Sequence, residues 1–127
     1  MILYESNYRM LELTDQAQFE ERWNWVKGTE CPSGLRPYDG AMLVYFTAAW
    51  CGPCKALDLD AIDRIASQYD LPFWHCDAVV NDYTAGYCNV RSFPTFLVIT
   101  PKQIIFTLKS NDTAKVCDFI HTIHGKK

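Results

Sequence analysis

Apolar residues in this chain fall into short continuous runs, separated by stretches where they recur at helical spacing. Met10-Leu11-Glu12-Leu13 alternates well enough for a short strand. Thr14 or Asp15 then offers a side-chain oxygen to cap a helix through about Val26, with Phe19, Trp23 and Val26 on one side. Residues 28–40 are rich in Gly and Pro and read as a rather long loop. Ala41-Met42-Leu43-Val44-Tyr45-Phe46-Thr47 is apolar and β-branched almost throughout. Such a run fits a central strand covered on both faces.

From Gly52 to about Tyr69 the pattern turns helical, with Leu59, Ile62, Ile65, Ala66 and Tyr69 on one stripe. Phe73 to Asp77 reads as another strand, and Asn81 to Cys88 as a short helix. Phe96–Thr100 and Gln103–Leu108 are two apolar strands joined by Pro101-Lys102, a predicted hairpin. Asn111 or Asp112 caps a last helix whose inward face is Val116, Phe119, Ile120 and Ile123. The order is β-α-β-α-β-α-β-β-α. Strands separated by helices imply an α/β fold with a central mixed sheet, helices on both faces, and an antiparallel edge from the final hairpin.

Composition narrows the picture. With 127 residues, 49% of them hydrophobic, the chain suits a single domain over 1–127 with a proper core. A net charge of −3 without a basic face argues against nucleic acid or an anionic membrane surface as primary partner. No apolar stretch approaches a membrane span, and Met1 to Met10 lacks the apolar core of a signal peptide. The expectation is a soluble, intracellular, cytoplasmic monomer, with Lys126 and Lys127 a solvated tail. In that setting six cysteines point to reduced, metal-bound or redox-active thiols rather than to staples.

Two of those cysteines carry the clearest chemistry. Cys51 sits where the buried strand ends and a helix is predicted to begin, and Cys54 lies three residues on. Unpaired backbone N–H groups in a first helical turn favour a thiolate there, the attacking species in disulfide exchange. Pro53 suits that turn, where its missing N–H costs nothing. The spacing brings Cys54 close enough to attack a mixed disulfide and release the reduced substrate. The alternative, half of a zinc site, lacks a second pair of ligands: Cys76 and Cys88 stand apart, with only His75 beside Cys76. No metal and no cofactor is expected.

Ala49-Trp50-Cys51-Gly52-Pro53-Cys54-Lys55 after an apolar strand closely resembles the active site of the thioredoxin family. Leu11-Glu12-Leu13-Thr14-Asp15 is similar to that family's first strand and helix start, and Phe93-Pro94-Thr95-Phe96 to its cis-proline loop. The matching region runs from about residue 10 to 124, with 28–40 as a loop insertion. The resemblance implies a thioredoxin fold, with Cys51 as nucleophile and Cys54 as the resolving, more buried thiol. It also implies a cis Pro94, with the backbone of Phe93 pairing with an extended substrate segment. Trp50, Gly52, Pro53 and Phe93 would form an apolar lip around the reactive sulfur.

The chain also departs from that pattern. Tyr45 stands six residues before Cys51, where the family has a buried Asp assisting proton transfer at the resolving cysteine. Tyrosine ionises near pH ~10 and higher when buried, so it is a poor base at neutral pH. A tyrosine here is similar to tryparedoxins and nucleoredoxins, which usually have proline in place of Gly52; the plain reading is that Tyr45 fills core volume. His75 falls where the family often has Lys or Glu, and either shuttles the Cys54 proton, through Tyr45 or a water, or is a partly buried structural histidine. Leu59 replaces the proline that usually kinks the active-site helix, which predicts a straighter helix. The hairpin lacks the family's glycines, with Lys102 and Lys109 near those places, which predicts a tighter turn.

Among the other thiols, Cys76 reads as core and Cys117 flanks the stripe of the last helix. Cys88, six residues before Pro94, and Cys31, in the Gly/Pro loop, are the candidate regulatory thiols. His121 and His124 read as solvated. The resulting expectation is a protein-disulfide reductase cycling between dithiol and Cys51–Cys54 disulfide. Its partners would be disulfide-containing proteins and an electron donor, either a thioredoxin reductase or a small dithiol. Two rival readings are a tryparedoxin-like carrier feeding a peroxidase and a binding or redox-sensor module with little turnover.

Overall fold

The chain was analysed as a computed structural model that describes residues 12–26, 41–69, 71–100 and 104–125. The expected loop 28–40, Cys31, the Pro101-Lys102 connection and most of the first predicted strand lie outside them. Strand β1 (Met42–Thr47) is the centre of the sheet because its continuous apolar run can be covered on both sides. It pairs in parallel with β2 (Phe73–Asp77) and antiparallel with β3 (Thr95–Ile99), which pairs antiparallel with β4 (Ile104–Leu108). The order across the sheet is β2-β1-β3-β4. Beyond β2, Glu12 makes an isolated parallel bridge to His75, with the Leu13 N–H donating to the His75 carbonyl at 2.8 Å. Glu12 and Leu13 are the part of the first predicted strand that falls among the described residues.

Helices cover both faces, as the alternation along β1 requires. Met42, Val44 and Phe46 point into one core with Leu13, Trp74, Cys76, Leu97 and Phe19, the last from α1 (Gln16–Val26). Asp15 caps α1, its carboxylate accepting the Gln18 N–H at 2.9 Å. The short α3 (Asp82–Tyr87) supplies Ala85 to the same core, and Asn81 caps it. Leu43 and Tyr45 point the other way, into a core with Phe73, Phe96 and Val98. That core is closed by Ile62 and Ala66 of α2 (Leu59–Gln68) and by Val116 and Ile120 of α4 (Thr113–Gly125). Fully burying each such side chain contributes roughly 1.5–3 kcal/mol.

The expected helix needs correction. The helix predicted from Gly52 to Tyr69 is two pieces: a 3-10 turn over Pro53–Ala56, then α2. Leu57 between them is extended, with ψ of 138°. A straight helix does not form because Asp58 makes a better start than a middle. Its carboxylate accepts the Ala61 N–H at 3.1 Å, and its own N–H donates to Thr113 Oγ1 at 2.9 Å. The break therefore persists without a proline. The pairing of β3 with β4 carries a register shift between Val98 and Ile99, and the turn predicted to be tighter lies outside the described residues.

Asp58→Ala removes that cap and is expected to cost about 1 kcal/mol. The shift should appear as a lower midpoint of urea unfolding with an unchanged slope.

Candidate redox site

The redox segment begins where β1 ends. The Cys51 N–H donates to the Ala48 carbonyl at 2.9 Å, which folds the chain back at the strand end. Gly52 is already in right-handed helical conformation, and Pro53 occupies the start of the following 3-10 turn. Cys51 and Cys54 are joined as a disulfide with their Cα atoms 5.4 Å apart. The Cys54 N–H donates to Cys51 Sγ at 3.2 Å. A backbone donor so placed stabilises negative charge on that sulfur when the bond opens. The expected thiolate on Cys51 thus has a specific partner.

The surroundings are apolar. Ala48, Cys51 and Cys54 form their own buried cluster, with Phe93 packed against it. Trp50, 70% exposed, sets its ring edge-on to Phe93 at 5.6 Å between centroids. The Phe93–Pro94 peptide is cis, and Thr95 Oγ1 donates to the Ser92 carbonyl at 2.7 Å, closing that loop. Because β3 runs antiparallel to β1, its first residue Thr95 lies opposite Phe46, at the same sheet end as the cysteines. Trp50, Phe93 and Pro94 are therefore brought together with the pair. A Cβ at Gly52 would meet nothing, so the flank beside Cys51 is open.

Relative burial of the two cysteines departs from expectation. Cys51 is 3% exposed and Cys54 8%, so the resolving residue is not the deeper one in this oxidised state.

Tyr45 and His75 do meet, but as stacked rings, 5.6 Å between centroids and 18° apart in plane. Phe96 stacks on the other side of Tyr45 at 4.9 Å. The three residues sit on adjacent strands, since Tyr45 is in register with both His75 and Phe96. Burial pushes the Tyr45 phenol above its ordinary value, partly offset by a side-chain hydrogen bond with Thr47. Tyr45 thus lies between the rings of His75 and Phe96. The core-filling reading of Tyr45 describes what is seen.

Cys88, one of the two candidate regulatory thiols, is a free cysteine. It is buried in the same core as Cys76, and burial pushes both thiols up to about 12. Cys88 also lines a small cavity with Thr95, Leu97 and Lys109. A thiol kept neutral is nonetheless a weak nucleophile. Cys76 is core, as expected, and Cys117 is half-buried beside the α4 stripe. His121 is exposed but shares a hydrogen bond with Tyr69.

The raised thiols have a consequence for pH. Unfolded, Cys76 and Cys88 return to a value near 9.0. The folded state holds their protons longer, so their contribution is complete below that value and is lost as pH rises toward the folded one. Urea midpoints are expected to fall from neutral to alkaline pH, with a shallower fall in Cys88→Ala. Identical slopes in the two proteins would contradict this.

Sequence reading missed Asp58 and Thr113, which separate the redox turn from α2 and dock it on α4. The available signal was an Asp directly before an apolar-periodic run.

A reversible pair of this kind exchanges two electrons with other disulfides, which defines a thiol–disulfide oxidoreductase. The thioredoxin family model matches residues 27–122. Among curated proteins, mitochondrial thioredoxin-3 of Saccharomyces cerevisiae is 33% identical over 105 residues, covering 82% of this chain and 72% of that protein. Thioredoxin of Bacillus subtilis is 33% identical over 84 residues, covering 65% of this chain and 80% of its own length. Fasciola hepatica thioredoxin has the same fold, with a TM-score of 0.71 at 24% identity over 89% of this chain and 98% of that one. The chain belongs to the thioredoxin family and is a protein-disulfide reductase.

Proposed function

We propose that the chain works as a cytoplasmic monomer in the reducing direction, passing electrons from an external donor to disulfides in other proteins. The observation that carries this reading is the Cys51–Cys54 bridge at the sheet end where the Phe93–Pro94 loop packs against it. In the dithiol state the Cys51 thiolate attacks a substrate disulfide, forming a mixed disulfide and expelling one substrate thiolate, which takes up a proton. Cys54 then loses its proton and attacks Cys51 Sγ, expelling the second substrate thiolate. Two electrons have passed to the substrate, and the Cys51–Cys54 bond has formed. Trp50, Gly52, Pro53, Phe93 and Pro94 serve as the surface on which the substrate segment lies, and unpaired Cys76, Cys88 and Cys117 suit a reducing compartment.

Tyr45 is unsuited to take the Cys54 proton near neutral pH, because burial favours its neutral form. His75, beside it on β2, is the imidazole available for that task, acting through water. His75→Ala is expected to alter the pH profile of turnover, whereas superimposable profiles would remove His75 from the mechanism.

The electron donor decides which cycle a chain with Tyr45 runs. Insulin reduction driven by NADPH and thioredoxin reductase, run beside the same assay driven by a glutathione-type dithiol, separates the two sources. Faster turnover with the reductase supports the thioredoxin-type cycle. Turnover only with the small dithiol supports the tryparedoxin-like reading that Tyr45 favours. No turnover with either, or a rate unaffected by Cys51→Ser, would leave a binding module.

A further inference from the structure

Five large apolar side chains among the described residues stand more than half exposed: Trp50, Val79, Val80, Tyr83 and Tyr87. They are not scattered. Trp50 belongs to the redox segment, and the others run from the turn after β2 into α3. The parallel pairing of β1 with β2 places Asp77 beside Thr47, and the Ala78 N–H donates to the Thr47 carbonyl at 2.8 Å. The turn over residues 78–80 therefore leaves the sheet next to the segment that carries Trp50 and Cys51.

This turn is firmly built. The Asp77 carboxylate accepts the Val79 N–H at 2.9 Å, and the Asp77 carbonyl accepts the N–H groups of Val80 at 3.1 Å and Asn81 at 2.8 Å. Asn81 is buried; its side chain accepts the Thr84 N–H at 3.2 Å and donates to the Leu13 carbonyl at 3.0 Å. Val79 and Val80 are thus held outward, 56% and 61% exposed, by a fixed backbone. Turn chemistry does not call for them, because turns favour Gly, Asn, Asp and Ser, while β-branched residues favour strands. Tyr83 follows in the first turn of α3, 67% exposed. Tyr87 differs, since its ring packs edge-on against Phe19 and Trp23. Asp82 supplies a charged rim.

We propose that Val79, Val80 and Tyr83 extend the redox surface beyond Trp50 into a docking apron that selects protein disulfides flanked by apolar residues. The proposal rests on thiol–disulfide exchange at Cys51. A disulfide under attack at Cys51 must sit against Trp50 and Phe93, so the chain next to its cysteine passes over whatever adjoins them. Here that neighbour is an uncharged apolar turn with a phenol beyond it. Exposed apolar side chains grouped in this way mark a binding site, and the strand pairing that sets this turn beside the redox segment identifies the occupant as the substrate's own flanking segment.

The test compares the parent with a Val79→Ser/Val80→Ser/Tyr83→Ser variant on three probes. Two are synthetic peptides with one intramolecular disulfide each, flanked either by Leu and Ile or by Ser and Gly. The third is hydroxyethyl disulfide. In the variant, kcat/KM for the apolar-flanked peptide is expected to fall about tenfold, with the other two probes within about twofold of the parent. An equal fall on all three probes, or no fall on the apolar peptide, would overturn the apron. So would sedimentation showing a parent dimer that the variant dissolves, which assigns the face to a second copy of the chain. A parent that turns over none of the probes, hydroxyethyl disulfide included, would instead overturn the exchange chemistry beneath the proposal.

Discussion

Cys54→Ser is expected to turn a multiple-turnover reductant into a trap that stays covalently attached to its substrate. Cys51 retains what it needs for the first step: the open flank at Gly52 and a backbone N–H aimed at its sulfur, which belongs to residue 54 whatever its side chain. The second step is lost, because a serine hydroxyl is not ionised at neutral pH and does not displace a thiolate. Cys88 is a poor substitute, buried and pushed up to about 12. Intact-mass measurement should show one substrate chain per protein, released by dithiothreitol, with steady-state insulin reduction at the uncatalysed rate. Cys51→Ser should show neither adduct nor turnover. Persistent turnover by Cys54→Ser would mean that a different thiol resolves the intermediate.

Phe96→Ala is expected to lower the unfolding free energy by about 3–5 kcal/mol. Phe96 is fully buried on β3 and stacks on Tyr45, which in turn stacks on His75. It also shares the core that receives Ile62 and Ala66 from α2 and Val116 and Ile120 from α4. Truncation leaves a void bordered by two helices and a sheet. Collapse into that void is resisted, because β1 and β4 hold β3 in register on both edges. For a domain of ordinary stability, roughly 5–15 kcal/mol, such a loss is a large share of the total. Urea titration gives the midpoint shift directly. A loss under about 1 kcal/mol would show that the helices close over the gap.

Much of this was legible in the chain because it depends on local pattern. The run from Met42 to Thr47 announced a strand covered on both sides, and β1 is that strand. The stripe Leu59, Ile62, Ile65, Ala66 and Tyr69 announced the face that α2 presents to the core. Cys51 and Cys54 were legible through spacing and position at a strand end. What escaped depends on partners far along the chain. The break at Leu57–Asp58 needs Thr113, fifty-five positions from Asp58. Phe93, which packs on the cysteine cluster, lies about forty residues from it along the chain, and the Tyr45 stack needs two neighbouring strands in register. No window of sequence around any one of these residues contains the group that decides it.

The break before Asp58 also separates two properties that an uninterrupted helix would have tied together. The redox turn closes its own hydrogen bonds, Lys55 to Gly52 and Leu57 to Cys54, before α2 begins. Along the backbone, strain or slack introduced on the α2 side reaches the sulfurs only across the extended Leu57. Variants along α2 can therefore drift in thermal tolerance while the electron affinity of the pair stays nearly fixed. Durability and driving force can thus be adjusted one at a time.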